Sequence, residues 1–212
     1  PFHNPLICHF ANISEIETNF ILKEKDIKLA QAFWPGPLTI VAKSSDMIPL
    51  IVRANGEYVA FRAPSNKTVR KLIQYSMVPI AAPSANISGK TSPTCLNHVL
   101  KYFDLSDIDI LDQKDYTCKY GVESTVVKID GLTISILRQG FITKSDLEIF
   151  INSIDYQQPI KIVENQETIS LSSPGQLESH YCPDKPLYIL NLVDYGKISN
   201  LEKYKEEIKD AV

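Results

Sequence analysis

Long hydrophobic runs are missing from this sequence. No apolar stretch approaches the roughly 18 to 20 residues that a membrane-spanning helix needs, so we expect a soluble cytoplasmic protein without membrane contact.

Paired cysteines are missing too, because the four cysteines are scattered and show no C-x-x-C spacing of the kind found in zinc or redox sites. We interpret them as reduced, small hydrophobic residues. No H-E-x-x-H sequence or close histidine pair indicates a metal site.

The start of the chain also lacks the usual features. It begins at Pro1, with neither a basic leader nor a small-residue cleavage site behind it. We therefore expect a fragment whose true start lies upstream. Its 212 residues suffice for one large domain, or for one domain with an appendage.

Charge is distributed unevenly along the chain. The net charge is −3, yet the segment from Arg53 to Lys101 holds seven basic residues against one acid, Glu57. A basic segment of this kind favours an anionic ligand, either a nucleotide or a nucleic-acid backbone. The alternative is a solvated helix face, which suits the amphipathic stretch 66–76.

Alternating apolar and amphipathic stretches predict an α/β domain with a twisted, mixed, open sheet and flanking helices. Strands are predicted at 5–10, 38–43, 58–64, 78–83, 124–129 and 134–140, the last two as a hairpin around Asp130 and Gly131. Helices are predicted after a Ser14/Glu17 capping box, after an Asp26 cap, at 66–76, at 93–103 with Ser92 as cap and Pro93 in the first turn, and at 143–151.

The composition changes after about residue 164. Residues 164–186 are polar, rich in Ser and Pro, and without sustained periodicity, which is typical of a linker or a long functional loop. Residues 187–212 contain one strand pattern and one helix pattern, too little for a core. We therefore predict a domain over 1–163, a linker or lid over 164–186, and over 187–212 the start of a truncated second α/β domain.

The stretch "PSANISGKTSPT" at 83–94 nearly matches a phosphate-binding loop. Ser84 stands where the P-loop pattern has its first glycine. A true P-loop also begins its helix at the Gly-Lys-Thr, whereas Pro93 favours a later start. We therefore predict a polar loop whose hydroxyls and amide suit phosphate by another geometry, with a plain surface turn as the alternative.

Six blocks carry a resemblance to a known family. They are "NPLICHF", "FWPGPLTIV", "VAFRAP", "APSANISGKTSPT", "GVESTVV" and "ILRQGFIT". In order and spacing they resemble the YrdC-type threonylcarbamoyl-AMP synthases. The later "SPGQLESHYCPDKPL" resembles the linker of the two-domain members, so that the likeness covers residues 1–190.

The resemblance implies a reaction. L-threonine, bicarbonate and ATP, with Mg²⁺, would give L-threonylcarbamoyl-adenylate and pyrophosphate. Downstream threonylcarbamoyl-transfer proteins would then place the group on an adenosine beside the anticodon of tRNA. No covalent protein intermediate is required, so we expect charge clamps and hydrogen-bond donors, and no catalytic nucleophile.

The resemblance also implies site residues. The residues matched to the L-threonine site are His9, Arg62, Ala82 and Ser124. The residues matched to the ATP site are Tyr58, Ser84, Asn86, Ser92, Arg138 and Tyr181. A planar guanidinium at Arg62 would suit a carboxylate, and Tyr181 would belong to a linker that folds over the pocket as a lid.

This sequence departs from the family pattern at three places. Tyr58 stands where threonine is usual, and Gln139 stands where proline is commoner. The family also carries an upstream Lys and Arg that handle the ATP phosphates, and this chain begins after them, so we expect the chain alone to be incomplete as an enzyme.

Other interpretations stay open from the residues alone. A lone strand histidine such as His9 is commonly a satisfied core residue, and Arg62 could be a surface arginine at a strand end. The basic segment could make the domain an RNA-binding module without catalysis, although few aromatics accompany it. A serine hydrolase using Ser124 or Ser88 is less favoured, because no G-x-S-x-G elbow is present.

Overall fold

The computed structural model describes residues 4–19, 22–106, 108–111, 120–154 and 158–164. The strands are β1 Ile7–His9, β2 Leu38–Lys43, β3 Tyr58–Arg62, β4 Ile80–Ala82, β5 Thr125–Asp130, β6 Thr133–Arg138 and β7 Lys161–Glu164. The helices are α1 Ile13–Asn19, α2 Glu24–Phe33, α3 Lys67–Ser76, α4 Leu96–Val99 and α5 Lys144–Asn152. All seven strands belong to one sheet, in the order β4-β1-β3-β2-β5-β6-β7.

The sheet is mixed, as the sequence predicted. Strand β1 pairs with β3, β2 with β5, and β6 with β7 in parallel, while the other three pairings are antiparallel. The C-terminal ends of β1, β3 and β6 therefore meet the N-terminal ends of β2 and β5 at one edge. Polar residues that end or precede these strands are thereby brought together.

One face of the sheet is covered by helices. Strand residues such as Phe61 and Ile40 form a continuous apolar cluster there with Ile16 of α1, Leu29 of α2 and Leu147 of α5, all fully or almost fully buried. Phe33 and Phe150 join α2 to α5 in an edge-to-face contact at 5.3 Å. This face therefore holds the main core. Burial of its large apolar side chains is the dominant contribution to the stability of the fold.

The opposite face carries smaller side chains. Val41, Ala60 and Val126 are buried side by side on β2, β3 and β5, and Ile7 and Leu137 pack against them. Alternation along each strand separates this set from the large residues of the core face. This face of the sheet therefore carries a smaller apolar cluster than the face under the helices.

Two predicted helix starts are wrong in detail. Helix α1 begins at Ile13, before Ser14, and it is Glu15 that accepts a hydrogen bond from the Ala11 N–H at 3.3 Å. Helix α2 begins at Glu24, so that Asp26 lies inside its first turn and accepts from the Lys23 N–H at 2.9 Å. A carboxylate can satisfy the free N–H groups at a helix start either as the cap itself or from the third helical position, and both acids take the second role.

The predicted helix over 93–103 is also wrong in its bounds. Helix α4 covers only Leu96–Val99, and the backbone is still extended at Cys95. Ser92 and Pro93 therefore do not start a helix; they lie in the wall of the cavity described below. The helices at 66–76 and 143–151 are confirmed, with Asn66 and Thr143 as their N-caps.

The hairpin around Asp130 is confirmed, and Gly131 takes a positive φ of 56° in its turn. Strand β7 was not predicted; it pairs with β6 and extends the sheet to Glu164, where the predicted linker begins. The rest of that linker and the predicted second domain lie outside the described residues. None of the helices in the described ranges is long and apolar enough to cross a membrane.

Candidate active site

A cavity of about 270 Å³ lies above the small-residue face, at the edge where the strand ends meet. Three stretches of chain enclose it, namely the segment leading into β1, the segment from β4 through Thr94, and the approach to β5. Arg62 and Arg138 add the ends of β3 and β6. Two guanidinium groups in one concave site favour an anionic ligand.

Arg62 and His9 form a pair on one wall of this cavity. Their backbones are register partners at the ends of β3 and β1, so the side chains emerge on the same face. Arg62 Nη2 lies 2.9 Å from His9 Nε2. This contact holds the partly buried guanidinium in one orientation.

The pairing decides which nitrogen of His9 carries the proton. A guanidinium only donates, so His9 Nε2 is the acceptor and Nδ1 carries the hydrogen, which it donates to the Ile80 carbonyl at 3.3 Å. Burial, and the positive charge of Arg62 beside it, lower the pKa of His9 from 6.5 to about 4. His9 is therefore neutral at physiological pH, with both ring nitrogens in use.

Ser124 is the centre of a second polar cluster. Arg138 donates to the Ser124 carbonyl through Nε at 3.0 Å and through Nη2 at 2.8 Å, and Nη2 also donates to Ser124 Oγ at 2.9 Å. The Thr39 hydroxyl lies 2.7 Å from Ser124 Oγ. Both hydroxyls are almost fully buried, so Ser124 is held from two sides.

The backbone around Ser124 is fixed by close approach of two other segments. Thr125 N–H donates to the Pro37 carbonyl at 3.0 Å, which ties β5 to the turn before β2. A Cβ at Gly140 would lie 2.4 Å from the Glu123 carbonyl oxygen and 2.5 Å from the Thr125 nitrogen. Only glycine allows the chain after β6 to pass so near. The loop bearing Ser124 is thereby fixed on the cavity wall.

The loop at 83–92 is held by its own polar side chains. Asn86 Nδ2 donates to the carbonyls of Ile87 at 3.0 Å and Lys90 at 2.6 Å, and its Oδ1 accepts from the Ser84 hydroxyl. Gly89, at a φ of 88°, supplies a backbone conformation that other residues rarely adopt. Helix α4 starts only at Leu96, so the expectation that this segment is not a P-loop is confirmed.

The structure brings together most of the predicted site residues. The predicted residues that line the cavity are His9, Arg62, Ala82, Ser84, Ser92, Ser124 and Arg138. Asn86 holds the loop instead of lining the cavity. Tyr58 lies at the other end of β3 from Arg62, under the Lys128 ammonium at 3.6 Å, so its nucleotide contact stays a prediction. Tyr181 lies outside the described residues.

Sequence reasoning missed several polar residues of the site, and Thr94 in the cavity wall is one of them. Asn4 and Glu123 line the cavity, and Thr39 lies behind Ser124. Asn4 Oδ1 and Ser92 Oγ are buried and have no hydrogen-bond partner within the described ranges, which suits a site that binds polar ligands. A sequence signal for Thr39 existed, since it is the one polar residue within the apolar run "LTIVA".

The basic segment does not act as one surface. Arg62 lies in the cavity wall beside His9, while Arg53 Nη1 donates to the Gly56 carbonyl at 3.2 Å. Lys67 and Lys71 are exposed on α3. The alternative of a solvated helix face thus fits these two lysines, and the anionic-ligand hypothesis fits Arg62.

Comparison with known proteins assigns the chain to a family. The family model Sua5_yciO_yrdC, described as "Telomere recombination", matches residues 1–140. The chain belongs to this Sua5/YciO/YrdC family. Among family members, the threonylcarbamoyl-AMP synthase of Pyrococcus abyssi is 35% identical over 192 residues, covering 90% of this chain and 55% of that protein. The Bacillus subtilis threonylcarbamoyl-AMP synthase is 39% identical over 191 residues, 89% of this chain and 54% of that protein.

Solved structures agree with the family assignment. The Pyrococcus abyssi Sua5 structure complexed with L-threonine matches with a TM-score of 0.82 at 34% identity, covering 98% of this chain and 61% of that chain. Escherichia coli YciO matches with a TM-score of 0.56 at 17% identity, over 66% of this chain and 68% of that one, which supports the fold alone. This chain spans about half the length of these two curated synthases.

Proposed function

We propose that the protein makes L-threonylcarbamoyl-adenylate and pyrophosphate from L-threonine, bicarbonate and ATP. The observation that carries the proposal is the cavity at the strand ends, with the His9 and Arg62 pair on one wall and the Ser124 and Arg138 cluster on another. Two relatives at 35% and 39% identity are threonylcarbamoyl-AMP synthases, and one related structure contains L-threonine.

The chemistry needs anions to be brought together. Carboxylation of the threonine amine by bicarbonate gives a carbamate and releases water. A carbamate oxygen then attacks the α-phosphorus of ATP, and the bond to the β-phosphate oxygen breaks to release pyrophosphate. Arg62 would hold the threonine carboxylate with two parallel donors, and Arg138 with Ser84 and Ser92 would face the nucleotide. Such a site works by positioning and charge neutralisation.

The contacts of Ser124 disfavour the hydrolase alternative. A serine nucleophile needs a base that accepts its proton. Ser124 Oγ instead contacts Arg138 and Thr39, and the lone pair of His9 Nε2 is directed at Arg62. A binding role for Ser124 fits these partners better than a nucleophilic one.

Magnesium is proposed as the companion of ATP. Mg²⁺ prefers oxygen ligands and commonly enters nucleotide sites on the phosphates, whose charge it neutralises. Asn4 and Glu123 offer side-chain oxygens of that class in the cavity, and Asn4 Oδ1 is buried without a hydrogen-bond partner in the described ranges. These two residues would hold the ion.

The further roles remain proposals of the same kind. The product would pass to downstream threonylcarbamoyl-transfer proteins for tRNA modification in the cytoplasm, and direct tRNA contact would involve the exposed lysines of α3. The predicted nucleotide contacts of Tyr58, Asn86 and Tyr181 and the lid over 164–186 also stay proposals.

The test is a substrate-dependence assay. Pyrophosphate release from ATP is measured with magnesium in the presence and absence of L-threonine and of bicarbonate, and the adenylate product is identified by mass spectrometry. We expect release only when both are present. Equal release with serine, or without bicarbonate, would contradict the proposal. Binding of RNA without any binding of threonine would favour the RNA-module alternative.

A further inference from the structure

The Thr39 hydroxyl is buried at the centre of the sheet and has one partner in the described ranges, Ser124 Oγ at 2.7 Å. Thr39 does not line the cavity, whereas Ser124 does. Any effect of Thr39 on a ligand must therefore pass through Ser124.

The direction of this hydrogen bond follows from the number of donors. A hydroxyl has one hydrogen to donate and two lone pairs that accept. Arg138 Nη2 donates into one lone pair of Ser124 Oγ at 2.9 Å. If Ser124 donated to Thr39, the Thr39 hydrogen would be buried without an acceptor, and leaving a buried donor unpaired costs more than one hydrogen bond gains. The Ser124 hydrogen does not carry that cost, because Ser124 lines the cavity, where solvent or a ligand can accept it. The favoured arrangement is therefore Thr39 donating to Ser124.

The consequence concerns the Ser124 hydrogen. Both lone pairs of its oxygen are then occupied, by Arg138 and by Thr39. The remaining hydrogen is directed away from both donors, into the cavity, and the two incoming hydrogen bonds strengthen it as a donor.

We infer that Thr39 is a positioning residue that fixes Ser124 as a hydrogen-bond donor to an anionic oxygen of the bound substrate. The inference rests on the proposed function, and in its terms the anionic oxygen belongs to the carboxylate or carbamate of threonine. With Thr39 in place, a cationic group, or a group that can only donate hydrogen bonds, would meet another donor at this position, which disfavours its binding.

The test is a double-mutant cycle in the whole protein, with L-threonine affinity measured by calorimetry. Thr39→Val keeps the shape and removes the hydroxyl, and we expect it to weaken threonine binding about 5- to 20-fold, which lies between the scale of a neutral hydrogen bond and that of one to a charged group. Thr39→Ser restores the hydroxyl and should bind within about threefold of the natural protein. In a Ser124→Ala background, Thr39→Val should change the affinity by less than about twofold, because its effect passes through Ser124.

Thr125→Val is the matched control. Thr125 is a buried threonine next to Ser124, and its hydroxyl donates to the Ile142 carbonyl at 2.7 Å. Its loss should lower the melting temperature and leave threonine affinity unchanged. Thr39→Ala is measured as a second hydroxyl-free variant in case the valine does not fold.

Three results would overturn the inference. They are unchanged affinity in a folded hydroxyl-free Thr39 variant, Thr39→Ser as weak as Thr39→Val, and additive losses in the cycle. If the natural protein binds no threonine, the proposed function fails and the inference fails with it. If it binds threonine and the Thr39 variants bind equally well, only the inference fails.

Discussion

The two faces of the sheet are built from the same strands but differ in the size and polarity of their side chains. The face under α1, α2 and α5 carries Phe61, Ile40 and other large apolar side chains in one continuous cluster. The other face carries Val41, Ala60 and Val126, and polar side chains where the strands end. The difference shows that one set of strands can hold an apolar core on one face and, at the strand ends of the other face, a polar cavity.

The contrast is sharpest within β3. Phe61 is fully buried among helix and strand residues of the core, while its neighbour Arg62 enters the cavity beside His9. Alternation of side chains along a strand makes this possible without any irregularity. Stability and ligand binding should therefore respond separately to changes at adjacent positions.

The largest effect is expected for Phe61→Ala. Loss of a fully buried aromatic ring leaves a cavity in the core, so the free energy of unfolding should fall by about 3–5 kcal/mol. Urea denaturation measures it, and threonine affinity of the remaining folded protein should be unchanged. A loss of affinity as large as the loss of stability would show that the two faces are not independent.

Arg62→Lys should have the converse effect. A lysine cannot offer two parallel donors, so threonine binding should weaken by about 1.5–3 kcal/mol while the affinity for ATP and the stability change little. Calorimetry with each ligand measures this. Arg53→Lys, in the same basic segment but outside the cavity wall, is the control. Equal losses for both ligands would indicate a structural role for Arg62.

Acid should weaken the fold through His9. Because its pKa is about 4 in the folded protein and 6.5 ordinarily, the unfolded chain binds the proton more readily, so stability present above pH 6.5 is lost as pH falls towards 4. Between pH 7 and pH 5 the loss should be about 2 kcal/mol. His9→Gln has no such titration, so its stability should fall less over this range. Parallel pH profiles for the two proteins would contradict the assignment.

The smallest effect is expected away from the cavity, at the end of β3 opposite Arg62. The Lys128 ammonium lies 3.6 Å from the centre of the Tyr58 ring. Lys128→Met should cost about 0.5–1 kcal/mol of stability, the scale of an exposed cation–π contact. Thermal unfolding measures it, with threonine affinity expected to stay the same; a change in affinity would extend the site along β3.

Local patterns predicted the parts of the fold that depend on local physics. Apolar runs of strand length identified six of the seven strands, and Asn66 and Thr143 cap their helices as such residues usually do. Asp26 was placed wrongly because a carboxylate serves a helix start from two positions. Strand β7 was missed because it depends on pairing with β6, and local sequence does not show such pairing.

The candidate site was likewise predictable where it depends on local sequence motifs, and not where it depends on contacts between distant residues. Motif blocks identified Arg62, His9, Ser124 and Arg138, which the structure brings to one cavity. The apolar run around Thr39 marks it as unusual, but the role proposed for it could not be assigned, because its partner Ser124 lies 85 positions away in the chain. The pairing of β2 with β5 brings them together.

That separation along the chain also concerns how the protein folds. Contacts between distant residues form late, because the entropy of closing a long loop must be offset before they add stability. The backbone hydrogen bonds within helices α2 and α3 join residues close in sequence, whereas the Ser124 cluster requires β5 to dock beside β2. During refolding, threonine-binding capacity should therefore appear after most of the helical circular dichroism signal has recovered. Ligand binding would then report the completion of the sheet.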